Sequence, residues 1–75
     1  MKRNLFAQRL KSRRKEKGYT QEFLGEMLGY NKSAICDWET RDKEPRYDIL
    51  ISLSQVLDCT TDYLLGVVDT NDKDF

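Results

Sequence analysis

The stretch "GYTQEFLGEMLGYNKSAICDWE", residues 18–39, holds two apolar stripes of helical spacing separated by one break at Gly29-Tyr30-Asn31. Thr20 can accept from the first free N–H groups of a helix that begins at Gln21, and Phe23 stands where a full capping box would place Glu. Tyr19 before the cap and Leu24 after it are spaced for a hydrophobic staple. The spacing predicts a helix that buries Phe23, Leu24, Met27 and Leu28. Gly29, free to take positive φ, turns the chain sharply. Asn31 caps a second helix running through Glu39 or Thr40, with Ala34, Ile35 and Trp38 facing inward.

Upstream, a basic helix is expected over roughly residues 3 to 17, with Leu5, Phe6 and Leu10 on its apolar side and Gly18 as its stop. Downstream, Pro45 forces a break before a fourth helix from Tyr47 to about Leu57, whose inner side carries Leu50, Leu53, Val56 and Leu57. Thr60 caps a last short helix over Asp62–Leu65, stopped by Gly66. The expected organisation is one all-α domain of five helices over residues 1–67 and an acidic tail over 68–75, with no internal repeat.

The chain has 75 residues, enough for one small core and too few for a large enclosed pocket. Its formal charge of zero hides an asymmetry: residues 1–46 carry twelve Lys/Arg against seven Asp/Glu, and residues 47–75 carry one Lys against six Asp. A basic half and an acidic half fit either a polyanion bound on one face or a solvated first helix. With two cysteines and no histidine, neither a disulfide framework nor a metal-ligand cluster is expected. No nucleophile–base pair and no phosphate-cradling Gly loop is present, so an enzyme is not expected, nor a cofactor. The apolar runs are too short to span a bilayer, and a reducing cytoplasm is the expected setting.

Counted from Gln21, the fifth residue is Gly25, the ninth is Gly29, and the fourth, eighth, fifteenth and eighteenth are Leu24, Leu28, Ile35 and Trp38. That pattern matches the DNA-binding helix-turn-helix. Together with "EKGYTQEFLGEMLG", "SAICDWE", "DKEP" and "LDCTTDYLLG", the chain resembles the Cro and phage-repressor type of domain, also called XRE-like, over roughly residues 5 to 66. The resemblance implies a lambda-repressor-like fold whose third helix, about residues 32–40, enters the major groove. It implies a sequence-specific regulator of transcription, expected to be a repressor of prokaryotic or phage type. The expected partner is a double-stranded operator, bound by a homodimer.

Residue by residue, the resemblance places Lys32 and Ser33 in the first turn of the reading helix, at base edges, with Asp37 one turn further on. It implies phosphate contacts from Gln21, Asn31, Lys43, Arg41 and Arg14, and a buried salt bridge between Arg14 and Glu39. The physics of Gln21 agrees, because free N–H groups and the positive dipole end of a helix attract anions. Asp37 has two readings: it accepts from cytosine N4, or it pairs with Arg41 four residues on. Arg41 stands where the family has glycine, and Asp37 where it is commonly neutral or basic. Cys36 also lies toward the groove side, as a small half-buried residue or a thymine-methyl contact. The competing function is a protein-interaction module of the same fold, antitoxin-like or the target of an anti-repressor, favoured by Asp37 and the zero net charge. An RNA binder would need an aromatic stacking platform, which is missing.

Overall fold

Three of the helices begin where a side-chain oxygen satisfies a free backbone N–H, and two end on a left-handed glycine. The computed structural model describes residues 3–40 and 43–69. Among these residues there are five helices: α1 Arg3–Glu16, α2 Gln21–Leu28, α3 Lys32–Thr40, α4 Tyr47–Val56 and α5 Thr61–Leu65. Thr20 Oγ1 accepts from Phe23 N at 3.0 Å, Asn31 Oδ1 from Ala34 N at 3.0 Å, and Thr60 Oγ1 from Tyr63 N at 3.0 Å. All three caps thus close on the third residue of their helix, as short hydroxyl and amide side chains do.

The turn between α2 and α3 rests on two glycines with different tasks. Gly29 takes φ 77° in the left-handed region, and its successor Tyr30 returns an N–H to Gly25 O at 2.8 Å. Gly25 is buried, and a Cβ added there would stand 2.8 Å from the carbonyl carbon and oxygen of Asn31. The start of α3 is therefore packed directly on the backbone of α2. α4 ends differently: Asp58 occupies the left-handed position at φ 56° while Cys59 N bonds Ser54 O at 2.9 Å. Aspartate tolerates that conformation better than most residues.

One core joins all five helices: Phe6 and Leu10 from α1, Leu24 from α2, Ile35 and Trp38 from α3, Leu53 from α4, Leu64 from α5, with Leu57 and Cys59 between the last two. α2 packs chiefly on α3, α1 on α5 and α3, and α4 on α5 and α2. Two residues expected inside are not: Phe23 is 46% exposed and Met27 37%. Successive residues are about 100° apart around a helix. The close approach at Gly25 turns that flank of Leu24 inward, so the opposite flank, with Phe23 and Met27, faces out. Phe23 instead rests on the Tyr19 ring, centroids 5.3 Å apart and tilted by 58°. The expected acidic tail lies almost wholly outside the described residues, and among those described no helix is long and apolar enough to cross a membrane.

The packing at Gly25 reverses an ordinary expectation. Alanine in a helix interior normally gains about 1 kcal/mol over glycine. Here its methyl meets main chain that must shift, and Gly25→Ala is expected to lower stability by about 1–3 kcal/mol, read from the denaturation midpoint.

Candidate nucleic-acid interface

α3 divides sharply into two sides. Ile35, Trp38 and Glu39 are buried, whereas Lys32, Ser33 and Thr40 are exposed and Cys36 and Asp37 half-buried. Positions 32, 33, 36, 37 and 40 repeat at helical spacing, so they form one outward strip. Asn31 Oδ1 caps Ala34 N, and helix geometry leaves the backbone N–H groups of Lys32 and Ser33 without intrahelical acceptors. The strip therefore begins with a cationic side chain, a hydroxyl and two unbonded donors. At its other end Thr40 Oγ1 donates to Cys36 O at 2.6 Å, which turns the hydroxyl back onto the helix. Tyr30, in the turn, sets its ring edge-on to Trp38 with centroids 5.4 Å apart, bracing α3 at its base.

Behind the strip lies a charged centre. Arg14 Nε donates to Glu39 Oε2 at 2.7 Å and Nη2 to Oε1 at 3.2 Å, while Nη1 donates to Tyr19 O at 2.9 Å. Both residues are only 8% exposed. The expected Arg14–Glu39 bridge is present, in the two-bond geometry that planar guanidinium and carboxylate favour. Gln21, at the first position of α2, gives Nε2 to Glu39 Oε1 at 3.0 Å. The start of α2, the end of α3 and the last turn of α1 thus meet at one carboxylate.

Two further arginines of α1, Arg9 and Arg13, serve the frame. Arg13 donates through Nε and Nη2 to Leu57 O, at 3.2 and 2.7 Å, and through Nη2 to Asp58 O at 3.2 Å. Arg9 Nη1 donates to Tyr63 O and Val68 O, each at 2.6 Å, with its guanidinium carbon 4.1 Å from the Tyr63 ring centroid. These cations sit at the carbonyl-rich ends of α4 and α5, where unpaired acceptors and the helix dipole favour them. The sequence reading missed this use, weighing the basic first helix only as a polyanion-binding face or a solvated one. Three charges at positions 9, 13 and 14 are one side of a helix, and that spacing was the available signal.

Of the other site residues anticipated from sequence, Lys43 is exposed, Asn31 is exposed and already engaged as a cap, and Gln21 is half-buried. Arg41 lies outside the described residues, and with it the anticipated Asp37–Arg41 pair. Arg46 faces Asp48 at 3.7 Å on the surface, where ion pairs contribute little.

A helix-turn-helix family profile matches residues 10–64. Repressor protein C2 of Salmonella phage P22 is 40% identical over 65 residues, which are 87% of this chain and 30% of C2. The uncharacterised HTH-type transcriptional regulator YqaE of Bacillus subtilis (strain 168) is 38% identical over 71 residues, 95% of this chain and 60% of YqaE. The chain thus spans less than two thirds of the length of either relative. The crystal structure of the P22 c2 repressor with synthetic operator 9T superposes with a TM-score of 0.76 at 40% identity, covering 80% of this chain and 91% of that one.

The buried pair predicts a non-additive outcome. Arg14→Met or Glu39→Met alone is expected to cost about 3–5 kcal/mol, because each leaves a buried charge unpaired. The double variant is expected to recover most of that loss. Urea unfolding of the three variants and the parent measures the coupling.

Proposed function

The chain belongs to the helix-turn-helix family, and from that premise we propose that it is a sequence-specific regulator of transcription that reads double-stranded DNA with α3 and represses. The observation that carries this reading is the outward strip of α3, polar at its leading end and backed by a rigid, fully bonded centre. A helix of this diameter fits the major groove, where hydrogen-bonding side chains can distinguish all four base pairs. The relative C2 is by name a repressor, and the superposed P22 c2 structure is a complex with a synthetic operator. Both support the same reading here.

Lys32 and Ser33 are assigned to base edges: an ammonium suits guanine O6 and N7, and a hydroxyl suits several bases. Backbone phosphates fall to the start of α2 with Gln21, to Asn31 through its amide N–H groups, and to Lys43. Arg14 is assigned to the frame, because its guanidinium already serves Glu39 and Tyr19. The assembly is a homodimer on two half-sites about 34 Å apart, one turn of the duplex. The outer side of α4, with Tyr47 87% exposed and Ile51 beside it in helical spacing, offers apolar surface for the second copy.

A selection from random duplexes tests the proposal and yields the operator. Binding to it should fall with salt, the logarithm of affinity dropping by about 0.9 per phosphate neutralised for each unit of log salt. A protein that selects no sequence and shows no salt dependence would not be a DNA reader. On the selected operator, Lys32→Ala and Ser33→Ala should each weaken binding by about 1–3 kcal/mol, with Ser33→Ala leaving scrambled DNA nearly unaffected. Asp37→Asn should raise affinity for every duplex, since it removes a negative charge from beside the phosphates. A selective loss on the operator would instead assign Asp37 to a cytosine.

A further inference from the structure

We propose that Glu39 is a positioning residue for DNA backbone contact: it turns the Gln21 side chain so that one amide N–H is fixed inward and the other is presented beside the free N–H groups that open α2. This rests on the reading of the start of α2 as a phosphate contact. An ionised carboxylate has acceptors only, so the Gln21 atom facing it must be the amide nitrogen. Glu39 Oε1 receives that nitrogen at 3.0 Å and Arg14 Nη2 at 3.2 Å, and Oε2 receives Arg14 Nε at 2.7 Å. Arg14 in turn holds Tyr19 O at 2.9 Å, one residue before the Thr20 cap. The chain entering α2 and the side chain of its first residue are therefore fixed to the same buried pair.

The amide group is planar, so fixing one N–H sets the direction of the second. The Thr20 hydroxyl takes the N–H of Phe23, and helix geometry leaves those of Gln21 and Glu22 without intrahelical acceptors. A phosphate oxygen at this end would meet backbone donors and a side-chain donor already in place. A donor held before binding loses less conformational freedom on contact than a free glutamine would. The same carboxylate ends α3, so the element that reads bases and the element that grips the backbone keep one relative setting.

A purely structural Glu39 would make the contribution of Gln21 to DNA binding independent of Glu39, and a double-mutant cycle on affinity separates the two cases. Gln21→Ala is placed in the parent and in the folded Arg14→Met/Glu39→Met variant, and each protein binds one fixed mixed-sequence duplex at low salt. A charge-assisted hydrogen bond predicts about a tenfold loss in the parent. In the double-Met background the loss should shrink to about threefold or less. Equal losses in both backgrounds, or none in either, would overturn the proposal. A second measurement needs no variant: the two Gln21 side-chain amide protons, followed by NMR in the parent protein, should be unequal. One should exchange slowly, and only its partner should shift when the duplex is added. Two protons that shift together would overturn the proposal even if the double-Met protein fails to fold. Failure of the underlying reading is distinct: the parent itself would bind no duplex at low salt.

Discussion

A carboxylate removed from water needs donors for both oxygens, and Glu39 finds them on two different helices. Without Arg14 its charge would be stranded in the interior; without Glu39 the guanidinium would be. The pair is costly to bury, and much of its attraction goes into offsetting that cost. Its effect is geometric. It specifies how α1, α2 and α3 meet, which the apolar contacts of Leu24, Ile35 and Trp38 specify only loosely, because apolar packing has no direction. The close approach at Gly25 supplies the complementary constraint, fixing the distance between the two helices of the motif as the ion pair fixes their setting.

α1 extends this logic to the rest of the domain. A chain this small buries a modest core and must satisfy the ends of five short helices with little material. Arg9 and Arg13 close the carbonyl ends of α5 and α4 from outside those helices. Each therefore satisfies acceptors and ties distant parts of the chain together, across sequence separations of 54 and 44 residues. Local capping by Thr20, Asn31 and Thr60 handles the opposite ends. The division follows from chemistry: short oxygens reach the nearest N–H groups, and long guanidinium groups reach carbonyls on a neighbouring helix.

Much of this architecture was legible in the sequence, and the legible parts share a cause. Thr20, Gly29, Asn31, Pro45 and Gly66 act within a few residues of themselves, so their neighbours in sequence are their neighbours in space. All five helices stand close to where those signals put them. Phe23 and Met27 were misplaced because a stripe of apolar residues does not reveal its own rotation, which the contact at Gly25 decides. The Arg14–Glu39 bridge was legible only through resemblance to a family, since nothing local links residues 25 apart. The Gln21–Glu39 bond was missed for that same reason, and the spacing of Arg9 and Arg13 marked one side of a helix without showing which carbonyls that side would meet. The outward strip of α3 was legible by period, but which of its residues touch a base is a property of a complex.

The commitment of three arginines to the protein's own carbonyls and carboxylate has a kinetic side. For a protein that reads DNA, exposed positive charge does two opposed things: it hastens encounter, and it holds the protein on any sequence it meets. Glu39 cancels the charge of Arg14, whereas Arg9 and Arg13 bond neutral carbonyls and keep theirs. Under the proposed function, those two still add to the field that draws a polyanion in, but their donors are occupied by the protein's own carbonyls. The direct grip on phosphates then falls to exposed cations such as Lys32 and Lys43, where it can be changed without disturbing the frame.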